Sequence, residues 1–224
     1  MIDSVVLGFG FRARSGKDTA VAEIIKRRGL LTASSDPTGW DYEGERYDIR
    51  RYAFADALKR EVNAAAIKAG GMKELIASGD FPAWVQYDPS APMDDPLCPL
   101  GKQRPLLQFW GAEFRRAQDS DYWVRKLAQT IELEKPALAL ISDLRFPNEM
   151  QFVLEYGEAV RVDRDSLPPA THISETALED STDWSLVLEN NGSLEDFLVG
   201  SVVAFDELLL NFPQQRNVRQ ALGV

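Results

Sequence analysis

Val5-Val6-Leu7-Gly8-Phe9-Gly10-Phe11-Arg12-Ala13-Arg14-Ser15-Gly16-Lys17-Asp18-Thr19 is the stretch on which the reading of this chain turns. It opens with a short apolar run bounded by glycines, the pattern of a strand buried on both faces in a parallel sheet. A glycine-containing turn follows, and residues 19–28 then read as a helix with Val21, Ile24 and Ile25 on one side. Consecutive backbone N–H groups at such a helix start cradle phosphate well, because the helix dipole also favours negative charge there. Gly16 has no Cβ and lets the backbone approach phosphate oxygens closely. Lys17 is then placed to reach the outer phosphates of a triphosphate. The strand before and the helix after give the motif its structural context.

Two residues depart from the usual form of this loop. A glycine normally stands five positions before Gly16, where this chain has Phe11, with Gly10 one residue further back. The expectation is a reshaped or longer first turn. Asp18 occupies the position where a magnesium-binding Ser or Thr is usual; a carboxylate is also a hard oxygen ligand, so Asp18 is a candidate for Mg2+, directly or through water. Thr19 is left to hydrogen-bond an inner phosphate or to join Asp18 at the metal. Arg14, Ser15, Gly16, Lys17, Asp18 and Thr19 together form the candidate ATP site.

Outward from this loop, strands and helices alternate. A strand ending near Phe54 feeds a helix over 55–69 with Leu58 and Val62 on one face, stopped by Gly70-Gly71. Residues 78–103 carry Pro82, Pro89, Pro92, Pro96 and Pro99 among acids and read as a long surface excursion, a substrate-side insertion or lid. Helices are predicted over 106–117 and 122–131, a central strand over 137–141, a helix over 147–156 and a strand over 159–162. The polar segment 165–183, with Pro168 and Pro169, reads as a flexible loop or small lid. A last strand at 186–188 precedes Asn190-Asn191-Gly192, and Ser193 with Asp196 suggests a capping box for a final helix. In that helix Leu194, Phe197, Leu198, Phe205 and Leu208 fall near one face. The alternation predicts one α/β domain over residues 1–224, three-layered, with a mainly parallel sheet covered on both faces.

Composition excludes several classes. The 224 residues are 45% apolar and 27% charged, ordinary for a globular chain. Net charge is −10, which counts against a nonspecific nucleic-acid binder needing a basic face. Local Arg and Lys clusters can still set a positive field inside a cleft. Cys98 is the single cysteine and His172 the single histidine, so no internal disulfide, cysteine cluster or multi-histidine metal site can form. No run approaches membrane-spanning length and no leader pattern is visible, giving the expectation of a cytoplasmic protein without membrane partners.

Further candidates lie at the ends of the later elements. Asp143 follows the apolar run 137–141, at the carboxyl edge where open α/β sheets bind ligands. Two readings stand: Asp143 assists magnesium or orients an acceptor while Arg145 clamps a phosphate, or Asp143 caps the helix beginning at Pro147 with Arg145 as its ion-pair partner. Around 104–116, arginines can hold a monophosphate and Gln108 can read a base edge, or the stretch is an amphipathic helix with Trp110 and Phe114 in the core and Arg115 and Arg116 solvated. Lys59 and Arg60 are likewise either a polar helix face or cations at a cleft. His172 reads as a local hydrogen-bonding group.

At these residues the chain resembles the phage-type deoxynucleoside monophosphate kinases. Residues 14–19 are similar to their phosphate loop, including the aspartate after lysine. Residues 52–59, 106–113, 121–124, 142–149, 171–175 and 190–196 resemble six further family segments, in order. The resemblance implies a P-loop kinase fold, ATP with Mg2+ as donor, a dNMP as acceptor, and a homodimer. By match to family segments it marks Lys59, Arg104, Gln108, Trp123 and Arg145 as acceptor-site residues. For in-line phosphoryl transfer, Lys17, Asp143 and Arg145 form the candidate catalytic set, with Arg164 a further cation for the transferring group. A P-loop kinase of another small phosphorylated acceptor and a non-catalytic ATP-binding switch are the alternatives; no Asn-Lys-x-Asp guanine-reading segment occurs.

Overall fold

Strand β1 (Val5–Gly10) is buried at all six positions, the environment its unbroken apolar run demands. In the computed structural model, which describes residues 2–29, 48–169 and 172–210, β1 lies at the centre of a sheet. Helix α1 (Lys17–Arg28) follows the loop, then β2 (Ile49–Tyr52), α2 (Phe54–Ala69), α3 (Met72–Ser78) and α4 (Arg104–Gln108). A π-helical stretch (Phe109–Arg116) continues α4, and α5 (Tyr122–Glu134), β3 (Leu138–Leu144), α6 (Pro147–Tyr156), β4 (Gly157–Asp163), α7 (Ile173–Thr176), β5 (Leu186–Glu189) and α8 (Leu194–Leu210) complete the order. Among the described residues the sheet has five strands in the order β2-β3-β1-β4-β5. Every pairing is parallel. With α1 and α8 packed together and α6 against β1 and β4, this is the expected three-layer α/β fold.

The chain divides into two compact units, Met1–Ala53 with Ala128–Val224, and Phe54–Leu127. The inserted unit thus begins at α2, well before the 78–103 excursion expected from its prolines. In the first unit, Val5, Leu7 and Phe9 meet Ala20, Val21 and Ile24 of α1 and Phe197, Val202, Phe205 and Leu208 of α8. Burying each such large side chain contributes about 1.5–3 kcal/mol. Leu194 departs from the predicted apolar face: it is 65% exposed at the first turn of α8. Ser193 caps the helix, with Asp196 N donating to Ser193 Oγ (3.1 Å), but in place of the reciprocal bond of a capping box Ser193 Oγ donates to Asp196 Oδ2 (2.6 Å).

In the second unit Val62, Ala66, Met72, Val85 and Leu106 form the core. Three donors on the later helices converge on Glu61 of α2: Trp110 Nε1 (2.9 Å), Arg115 Nε (2.6 Å) and Tyr122 Oη (2.8 Å). Burial pushes that carboxyl up, but the hydrogen bonds to Trp110, Tyr122 and Arg115 outweigh it and hold it below the usual range. Arg115 is therefore an anchored cation; Trp110 and Phe114 pack at a T-shaped 5.6 Å. The excursion is clasped at its base: the buried Gln103 amide donates to Asp88 O and accepts from Asp88 N, both at 2.8 Å. Its Val85, Ala91 and Cys98 are buried. Among the described residues no helix is long and apolar enough to cross a membrane.

Candidate active site

Between β1 and α1 the backbone takes three turns with positive φ, at Phe11 (94°), Arg14 (64°) and Gly16 (113°). Such a path turns successive N–H groups toward one side, making a concavity for anions. Phe11 is the surprise of the loop. It holds a conformation that glycine adopts freely, at a cost of about 1–3 kcal/mol for another residue. The reshaped turn expected from the missing glycine is therefore a turn that keeps the glycine-like backbone with an aromatic side chain.

Lys17 begins α1 and is only 5% exposed. Its Nζ donates to Phe11 O (3.3 Å), Ser15 Oγ (3.2 Å) and the carbonyl of Arg12. Burial pushes its ammonium down from 10.5 to about 8, the neighbouring Arg145 adds to this, and Asp18, Asp143 and Glu175 pull the other way. The folded value lies below the unfolded one, so the unfolded chain binds more protons between these pH values. Charged Lys17 consequently costs stability below about pH 8, and that cost is relieved as pH rises through the window to 10.5.

Around this ammonium the sheet order assembles one cavity of about 600 Å3, from the chain leaving the carboxyl ends of β1, β3, β4 and β5. Arg14, Gly16, Lys17, Asp18, Thr19, Asp143 and Arg145 all line it, joined by Arg164. Ser15 is fully buried beneath the loop. Ser142 Oγ donates to Asp18 Oδ1 at 2.7 Å, tying the loop to β3. β3 runs on to Leu144, so Asp143 sits within its last residues. The cap of α6 comes from Glu149, which accepts from Arg145 N (2.8 Å) and Phe146 N (3.0 Å). The helix is capped from its own first turn, and Asp143 lines the cavity.

Arg145 Nη1 donates to Ser174 O (3.2 Å) and lies 3.9 Å from Glu175 Oε1. Arg12 pairs with Glu179. The segment around α7 is thus attached by cations to the phosphate loop and to the residue following β3. His172 caps α7, its Nδ1 accepting from Ser174 N at 3.2 Å, the local role expected of it. Thr171 and the 170–171 part of the expected lid lie outside the described residues.

Lys59, Arg104, Gln108 and Trp123 belong to the second unit. Arg104 is exposed at the start of α4 and Gln108 half-buried at its end. Lys59 Nζ lies 3.0 Å from Asp95 and 3.8 Å from Asp56. Trp123 is 3% exposed and its indole donates to Gly111 O at 3.1 Å. An aromatic buried in this way supports the helix beside it.

In the sequence Asn190 reads as a turn residue within a family-like segment, with no site role. Its Nδ2 donates to Ser15 O at 2.8 Å, and with the Phe197 ring it closes the far side of Gly16. The Asn190-Asn191-Gly192 turn ahead of the Ser193 cap is the available signal, but nothing in it names Ser15 as the partner.

No protein-family model matches the chain. A curated protein of Acanthamoeba polyphaga mimivirus, named "Putative deoxynucleotide monophosphate kinase", is 26% identical over 215 residues, 86% of this chain and 92% of its own length. The chain is similar to a deoxynucleotide monophosphate kinase. Among solved structures, a dephospho-CoA kinase from Campylobacter jejuni aligns with 90% of this chain and 96% of its own, at 10% identity and a TM-score of 0.40, a likeness too distant to carry an argument.

Proposed function

We propose that this protein is an ATP-dependent phosphotransferase that moves the γ-phosphoryl group of ATP onto the phosphate of a deoxynucleoside monophosphate, giving ADP and dNDP. The observation that carries the reading is the convergence of the positive-φ loop, Lys17, Arg145 and Arg164 on one cavity. Such transfers need positioning and charge compensation rather than a covalent intermediate. The loop amides and Lys17 hold the donor's outer phosphates; Arg145 and Arg164 face the group in flight. For the acceptor, the resemblance and the similarity to a kinase named for deoxynucleotides support Arg145 in the first unit, and Lys59, Arg104, Gln108 and Trp123 in the second, each by match to family segments.

The residues beside the loop fit magnesium. Asp18 and Thr19 offer hard oxygens at the cavity wall, and the Asp18 carboxylate is 80% exposed. Ser142 orients that carboxylate, and Asp143 lines the same wall. Magnesium takes most of its ligands from phosphates and water, so two or three protein groups suffice. When bound it would offset charge on the β and γ oxygens.

Incubation with Mg-ATP and each dNMP in turn, with dNDP as the readout, tests the proposal. Product from another small phosphorylated acceptor and none from any dNMP would move the assignment to that acceptor. Tight ATP binding without product from any acceptor would make the protein a nucleotide switch.

The depressed Lys17 adds a pH signature. Triphosphate affinity of the free protein should fall as pH rises through about 8, because the cation is lost. Bound triphosphate stabilises the ammonium, so the alkaline limb of kcat should lie above that of kcat/KM. An affinity unchanged from about pH 7 to 10 would remove Lys17 from triphosphate binding.

A further inference from the structure

Resting on the phosphate-loop reading above, we infer that Phe11 and Arg161 form a positioning pair: the guanidinium stacked on the ring holds the first turn of the loop in its phosphate-receiving shape. Phe11 stands where glycine is usual, yet its φ of 94° is one that glycine reaches freely and phenylalanine rarely. Something must hold it there. Its N–H donates to Leu144 O (3.3 Å) and its carbonyl accepts from Lys17 Nζ (3.3 Å). The ring is buried, and Arg161 Cζ lies 3.8 Å from its centroid, with Arg12 Cζ at 5.3 Å.

Arg161 is not a wandering surface cation. It sits on β4 directly opposite Gly10 in the parallel register, so the sheet itself delivers its side chain to the residue that follows Gly10. Asp163, two residues on along the same strand, holds the guanidinium through Nε (3.1 Å) and Nη2 (3.0 Å). A cation over an aromatic face is attracted by the ring quadrupole, and more strongly when the ring is withdrawn from water. Glycine at this position could visit the same φ but would also visit many others, because it lacks any side chain to be held. The aromatic residue exchanges that freedom for a clamp. The carbonyls of Phe11 and Arg12 that grip the Lys17 ammonium are thereby set before any phosphate arrives, and binding no longer has to order them.

The pair touches no reacting atom, so its signature is a split between binding and turnover. Phe11→Gly and Arg161→Met should each weaken binding of a non-hydrolysable ATP analogue by about tenfold and raise KM for ATP similarly. The kcat at saturating ATP and KM for the acceptor should change far less. The double variant should be no weaker than the poorer single one, since either change removes the same contact. Phe11→Tyr keeps the ring face and should restore wild-type affinity. Analogue binding is measured without turnover, so the result is independent of which acceptor is phosphorylated. Wild-type affinity in Phe11→Gly, or additive losses in the double variant, would overturn the pair. Equal loss in Phe11→Tyr and Phe11→Gly would do the same, by showing that the ring only fills space. Loss of analogue binding in the wild-type protein itself would instead overturn the phosphate-loop reading.

Discussion

Lys17→Ala should reduce turnover by about a thousandfold or more while leaving the protein folded. The side chain is a buried cation whose three partners are all in its own loop. Its burial is unfavourable enough to depress its pKa to about 8, so fold stability gains little from its charge. Removing it opens space beside the cavity, where water can reach the carbonyls of Phe11 and Arg12. The expected change in Tm is therefore within a few degrees, comparable to an ordinary surface variant. On the proposed reading the transition state loses the ammonium that meets the outer phosphates, and Arg145 and Arg164, which follow β3 and β4, cannot take its place. Circular dichroism and thermal melting establish the folded state; steady-state assay with the best acceptor gives the rate. Turnover within tenfold of wild type would take Lys17 out of the mechanism.

Gly16→Ala should be damaging in a different way, through geometry rather than charge. The residue has φ +113°, and a Cβ there would lie 2.6 Å from Asn190 Nδ2 and 3.0 Å from the Phe197 ring. Backbone strain and overpacking each cost about 1–3 kcal/mol. Asn190 cannot move aside without releasing Ser15 O, which it holds at 2.8 Å. Nucleotide affinity is expected to fall by about a hundredfold or more, together with a clear drop in Tm. Gly200→Ala serves as the contrasting variant. Its Cβ would meet only Leu188 Cδ1, at 3.8 Å, within α8. Alanine in a helix interior stabilises by about 0.5–1 kcal/mol over glycine, so that variant should melt at or above wild type. Two variants with equal Tm and equal nucleotide affinity would show that the loop does not need the shape described for it.

Much of the architecture was legible because its causes are local. The run Val5–Gly10 announces a buried strand by composition alone, and α6 (Pro147–Tyr156) begins and ends where its proline and its apolar spacing say it should. Ser193 and Asp196 form their N-cap contact within four residues. Lys17, Asp18 and Thr19 were readable as a group because one turn of chain places them together. The inserted unit was less legible: its aromatic cluster around Glu61 draws on α2, the π-helical stretch and α5, up to 61 positions apart, and periodicity cannot reveal which carboxylate three distant donors will share. The packing of Trp123 is hidden for the same reason, since its partner Gly111 is offered by the π-helical turn, a distortion that the residue pattern does not show.

By itself, the chain's order of residues determined a phosphate-cradling turn between a buried strand and a helix, in an alternating α/β chain. Local backbone preference and hydrophobic periodicity suffice for that. Only the tertiary structure decided what surrounds the turn: Asn190 against Ser15, Ser142 against Asp18, Arg161 over Phe11, and Glu149 relieving Asp143 of a capping role. The physical reason is the strand order. With β1 between β3 and β4, residues more than a hundred positions apart are brought within hydrogen-bonding distance, and which of them meet depends on register across the sheet rather than on any neighbour in the chain.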